Sequence, residues 1–203
     1  TVNSDGSLAT TIDAQQDGRV FAIISGEDDG TMIKDLVITG GLILSEDEIP
    51  EYGGGIYCGN QSSPAIINCT ISSNTADGGG GIYCEFSSNP TITDCTIEGN
   101  SAEYAGGLIC LNSSPIISGC KIEYNSAQAG GGFACALDSN PTFTNCTISN
   151  NTAQESGGIA IYNSSEPVFT DCTISNNTAS KSDGGGISVS GQSFPIFTRC
   201  MIE

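Results

Sequence analysis

The chain has 203 residues, with 23 acidic side chains against 5 basic ones, a net charge of −18, and neither histidine nor tryptophan. That charge argues against nucleic acid or an anionic membrane surface as a partner and suits solubility, divalent cations or a cationic partner. No run of 18 apolar residues spans a bilayer, and the length suits a single domain.

The first 52 residues are the least regular. "TTIDA" places Ile12, and "TMIKDLVITGG" places Leu36 and Ile38, at positions that recur later at a spacing close to 26. Two acidic stretches interrupt this part: "GEDDG" at 26–30 and an insertion at 42–52 ending in "SEDEIPEY". Asp28, Asp29, Glu46, Asp47 and Glu48 are oxygen donors of the kind Ca²⁺ takes. A solvated acidic loop is the plainer reading of the same residues, since no regular calcium-loop spacing is present.

From residue 53 the chain repeats itself. "GGGIYCGNQSSPAIINCTISSN" at 53–74 is followed by "GGGIYCEFSSNPTITDCTIEGN" at 79–100. Prolines 64, 90, 115, 141, 167 and 195 mark six copies spaced by 25 to 28 residues. Each proline precedes a cysteine (Cys69, Cys95, Cys120, Cys146, Cys172, Cys200), and an isoleucine follows two residues later. Asn74, Asn100, Asn125, Asn151 and Asn177 sit three residues beyond that isoleucine.

Within a copy the period is two. "GGIYC" reads as a short strand with Ile82 and Cys84 inward, and "PTITDCTIE" as a longer one whose phase shifts at Asp94. Asn, Ser, Gly and Pro fill the gaps with turn chemistry. Each copy therefore holds two or three short strands and no helix. One copy buries too few apolar side chains to offset the entropy of ordering it, so the copies must stack, like residue over like, about 4.8 Å apart. The predicted fold is all-β: a single-stranded right-handed parallel β-helix with about 26 residues per coil and roughly seven coils. It forms one domain over 1–203, with less regular coils at 1–52 and regular repeats at 53–203. The chain shows no capping element, and bare solenoid ends are strand edges. The expectation is either a segment of a longer protein or a subunit that associates end to end.

Several columns follow. Ile66, Ile92, Ile117, Phe143, Phe169 and Phe197 form one inward row, and Ile56, Ile82, Leu108, Phe133, Ile159 and Ile187 another. The asparagine column is expected to pass amide hydrogen bonds from coil to coil. The glycine pairs, from Gly54–Gly55 to Gly185–Gly186, are expected at φ > 0 in a tight corner. Ten cysteines fall in two columns, Cys58, Cys84, Cys110 and Cys135 in one and the six named above in the other. Within-coil disulfides (58–69, 84–95, 110–120, 135–146) would leave Cys172 and Cys200 unpaired. Apolar Ile161 and Val189 continue the first column, so stacked free thiols are favoured.

Here the motifs carry a resemblance. "GGGI" followed by Ile-x-x-Asn, present five times from Ile71–Asn74 to Ile174–Asn177, resembles the repeats of bacterial right-handed β-helix surface proteins, including the polymorphic outer membrane protein type. This chain departs from that type in using Ile for Phe and Gly for Ala. The resemblance implies secretion, an extracellular or cell-surface location, and non-catalytic work as an adhesin stalk, spacer or fibre subunit that meets copies of itself or surface glycans and proteins.

Catalysis has little support in the residues. Asp94 and Asp171 are three coils apart, about 14 Å, too far to cooperate, and the five basic residues do not cluster. No cofactor is expected beyond Ca²⁺ at the acidic stretches. The alternatives are a fragment of a polysaccharide lyase or hydrolase, and a glycan-binding module that uses outward Tyr57 and Tyr83, with Tyr52 and Tyr104 at nearby corners, and the acidic insertion.

Overall fold

A computed structural model describes residues 10–44, 51–182 and 184–203. All regular elements among them are strands, which assemble into four parallel sheets of eight, seven, seven and six strands. A typical coil runs Ile82–Glu85, Thr91–Thr93, Thr96–Glu98 and Ser101–Tyr104, and the next opens at Leu108–Leu111. Each strand lies on the equivalent strand of the neighbouring coil, in register: Ile82 on Leu108, Ile92 on Ile117, Ile97 on Ile122. The molecule is a β-solenoid of about seven coils with four walls, named here wall 1 to wall 4 in the order of that coil.

Four strands per coil exceed the two or three expected. The additional one is wall 4, represented by Thr75–Gly78, Ser101–Tyr104, Ser126–Ala129 and Thr152–Glu155. Beyond Ile43 at its N-terminal end, its inward column is alanine, with Ala76 over Ala102 and Ala127 over Ala153. Space explains the choice. The glycine corner packs directly against wall 4, so that a Cβ on Gly80 would lie 2.4 Å from the Ser101 carbonyl oxygen. A strand whose core residue is a single methyl group gives no apolar alternation to read.

The core is three rows of fully buried side chains. Ile56, Ile82, Leu108, Phe133 and Ile159 come from wall 1; Ile66, Ile92, Ile117, Phe143 and Phe169 from wall 2; and Ile71, Ile97, Ile122, Ile148 and Ile174 from wall 3. Toward the C-terminal coils the wall 2 row turns aromatic. Phe143, Phe169 and Phe197 stack with centroids 4.8 and 4.9 Å apart, and Phe133 meets Phe143 edge-on. The strand repeat sets that ring spacing, and it is also a favourable one for offset aromatic pairs.

Between walls 2 and 3 every coil has a left-handed residue: Asn68, Asp94, Gly119, Asn145, Asp171 and Arg199, with φ of 50–63°. Asn, Asp and Gly, which fill all of these positions but the last, are the types that tolerate this region. This single residue causes the phase shift seen at Asp94. The glycine pairs depart from expectation. Positive φ belongs to the residue before each of the first five pairs (Gly53, Gly79, Ala105, Gly130, Ser156) and to no member of the pairs. The pairs are glycine because the coils touch there backbone to backbone: a Cβ on Gly107 would sit 2.4 Å from the Gly132 carbonyl oxygen and 2.9 Å from Ile122 Cγ2.

Two polar rails run through the interior. The Asn100 backbone N–H and side-chain Nδ2 both donate to Asn125 Oδ1 at 3.0 Å, and the same Nδ2 donates to the Ile71 carbonyl at 2.9 Å. The pattern repeats from Asn74 to Asn177. The second rail is serine: the N–H groups of Ser62, Ser88, Ser113, Ser139 and Ser165 each donate to the hydroxyl oxygen of the next coil's serine at 3.1–3.2 Å. The serines lie in stretches whose composition reads only as turn, so their column was not anticipated.

Asn125→Ala strips buried partners from the Asn100 N–H and from the Ile97 carbonyl. It is expected to cost about 3 kcal/mol or more in denaturant unfolding; Asn177→Ala, at a half-buried position, should cost less. Gly107→Ala is expected to destabilise by about 3 kcal/mol or more. Gly99→Ala, at φ 61° with open space around it, should cost only the roughly 1–2 kcal/mol of left-handed strain.

Candidate functional site

The outward row of wall 1 reads Ala22, Tyr57, Tyr83, Ile109, Ala134, Ala160 and Ser188 in successive coils. Outward residues of a solenoid normally face water. Here Tyr83, Ile109, Ala134 and Ala160 are only 1%, 7%, 6% and 0% exposed, because both flanking rows rise over them. On one side the wall 4 row runs Tyr52, Gly78, Tyr104, Ala129, Glu155. On the other, Glu85, Leu111 and Ala136 are in register, and Tyr162 follows from the next coil. The result is a lateral groove along the axis, with a second small apolar cluster as its floor. As the floor shrinks from tyrosine to isoleucine to alanine, the groove deepens into a cavity of about 210 Å³, lined almost wholly by carbon. Tyr52, Tyr83, Tyr104 and Tyr162 are its aromatic edges.

The floor closes at its N-terminal end with a stack. The Arg19 guanidinium lies 5.0 Å over the Tyr57 ring, Tyr57 is 5.8 Å from Tyr83 at 15°, and Tyr83 is 4.4 Å from Tyr52 at 8°. Arg19 also pairs with Glu51 at 3.1 Å. Glu85 accepts hydrogen bonds from the hydroxyls of both Tyr57 and Tyr83. Burial, reinforced by this carboxylate, holds both phenols well above their usual range, so they stay neutral donors.

Tyr52, Tyr57 and Tyr83, the tyrosines singled out in the sequence, are thus brought together, but not as an open sugar platform. Tyr83 is sandwiched between the other two and offers no free face. The open aromatic surface belongs to Tyr104, which is 53% exposed, and to half-buried Tyr162. The sequence signal that was overlooked is the replacement of outward tyrosine by alanine at positions 134 and 160, which leaves a hollow.

The acidic stretch at 26–30 forms a turn. Asp28 accepts from the Gly30 and Thr31 N–H groups, and Glu27 accepts from the Ser25 N–H and the Ser62 hydroxyl at 2.8 Å. These bonds, the Ser25 N–H first, hold the Glu27 carboxyl below its usual range. Asp29 is exposed. Glu46, Asp47 and Glu48 lie outside the described residues. Among the described residues, no three carboxylate or thiol groups gather in a metal-binding cluster. Asp171 forms a two-pronged pair with Arg199 of the next coil at 2.6 and 2.7 Å, which lowers its carboxyl.

All ten cysteines are free thiols, nine of them buried. Cys58, Cys84, Cys110 and Cys135 stack in wall 1. In the other column the Cys69 and Cys95 N–H groups contact the next coil's sulfur at 3.4 Å, while Cys69, Cys95, Cys120, Cys146, Cys172 and Cys200 each donate to a carbonyl two residues back at 3.3–3.5 Å. Burial pushes the Cys135 thiol up to about 12 and also raises Cys110. These thiols are core hydrophobes with satisfied S–H groups.

Two outcomes follow for the thiols. A disulfide-exchange reagent at neutral pH should leave the nine buried cysteines unreacted until denaturant is added, with half-buried Cys200 reacting first. Because burial raises the Cys135 thiol above its ordinary value of 9.0, its protonated native form contributes its full stability below that value and loses it as pH climbs toward about 12. The denaturant midpoint should therefore fall progressively across that window.

A protein-family model described as a right-handed beta helix region matches residues 22–203. Among solved structures, the crystal structure of a pectate lyase is similar, with a TM-score of 0.48 and 12% sequence identity over 93% of this chain and 50% of that one. The chain thus spans half the length of that enzyme. No curated protein matches in sequence. With the family match covering nearly the whole chain and the coil geometry agreeing with it, the chain belongs to the right-handed β-helix family.

Proposed function

We propose that this chain is a non-catalytic rod segment of an extracellular or cell-surface protein, a spacer that sets distance and presents a repetitive polar wall. The observation that carries this reading is the pair of unbroken polar rails, asparagine from 74 to 177 and serine from 62 to 193. They bind each coil to the next by the same contacts, so length can grow by whole coils without redesign. A net charge of −18 keeps such a surface solvated and discourages lateral aggregation.

The glycan-binding alternative on Tyr57 and Tyr83 would need an open face that Tyr83, 1% exposed, does not offer. In the groove a sugar would lose water from its hydroxyls without gaining partners.

Duplicating residues 105–129 in place should give a folded protein longer by about 4.8 Å in solution scattering. The chain should release no unsaturated or reducing ends from acidic polysaccharides, with or without Ca²⁺. Antibodies against it should label intact source cells or culture medium. Depolymerisation, or labelling only after permeabilisation, would overturn the proposal.

A further inference from the structure

We propose that the lateral groove is a binding site for a small quaternary ammonium ion. The argument rests on shape, lining and charge. The cavity encloses about 210 Å³, and none of the residues lining it is charged. Tyr104 stands on one rim and Tyr162 on the other. Carboxylates stand at diagonally opposite corners. Glu85, whose oxygens accept from the Tyr57 and Tyr83 hydroxyls, is in register with Leu111 of the wall, and exposed Glu155 with Ala129 of the facing wall.

Other ligand classes fit this combination poorly. An inorganic cation needs several oxygen ligands in contact, and the lining offers almost none. A primary ammonium would bury three N–H donors against carbon, each unsatisfied. An anion meets two carboxylates and the field of the whole chain. A neutral apolar molecule gains burial but ignores the corners. A quaternary ammonium has no N–H to satisfy. Its methyl groups suit the alanine floor, and its charge is attracted by the aromatic rings and, at longer range, by the two carboxylates one coil away. The long-range field of an acidic chain raises its local concentration.

The test uses choline as the probe, by calorimetry or ligand-observed NMR on the whole chain. Choline should bind at low salt and weaken as salt rises. The neutral alcohol in which carbon replaces the choline nitrogen should bind at least roughly tenfold more weakly. Ala134→Leu fills the floor and should abolish binding with no loss of the all-β circular dichroism signal. Tyr104→Ala, at an exposed rim position that the fold does not need, should weaken binding several-fold, as should Glu155→Gln. Absence of choline binding, equal affinity for the neutral isostere, or choline binding that survives both Ala134→Leu and Tyr104→Ala would overturn the proposal. So would tighter binding of glucose or galacturonate than of choline in the same groove.

Discussion

Everything in this molecule depends on the parallel hydrogen-bonded register between successive coils. A coil has no hydrophobic core of its own, and its interior is closed above and below by its neighbours. Once the backbone repeat is set at the strand spacing, each side chain has an identical or equivalent residue above and below it. Selection at each position is then selection for a residue that stacks well on itself. Isoleucine does this in the core, and so does phenylalanine in the last coils of wall 2. Asparagine does it at the corner between walls 3 and 4, where one carboxamide both donates and accepts along the axis.

The corners show how that repeat constrains the backbone. Where walls 4 and 1 meet, the glycine pairs let backbone touch backbone, and a methyl group has no room. The αL residue between walls 2 and 3 redirects the chain so that Cys95 and Ile97 point inward after Ile92 has done so. The buried thiols follow the same logic. A small, weakly polar side chain fits a tight corner, and its S–H finds a carbonyl two residues back. Redox or metal chemistry is not needed to account for ten cysteines.

The outward rows escape this discipline, and there the coils differ. Wall 1 carries tyrosine in two coils, then isoleucine, then alanine, on an otherwise constant scaffold. A groove results with no insertion and no change of fold. A binding surface on a solenoid can thus be written by changing side-chain size along one outward column while the rails behind it hold the shape. The rod reading and the groove reading concern different faces of the same coil, and neither depends on the other.

The sequence by itself determined the solenoid, its period, its inward rows and the asparagine column, because stacking forces repetition and repetition is visible in one dimension. It left wall 4 unseen, since an alanine core column has no apolar signature. It assigned the glycine pairs to unusual dihedrals when close approach of neighbouring coils was the cause, and close approach is a property of the third dimension. It also grouped Tyr52, Tyr57 and Tyr83 correctly but could not show that Tyr83 lies between the other two. The groove was decided only by tertiary structure. It arises from the height of two flanking rows, Tyr104–Ala129 and Leu111–Ala136, over a floor that alternation alone would place in open solvent.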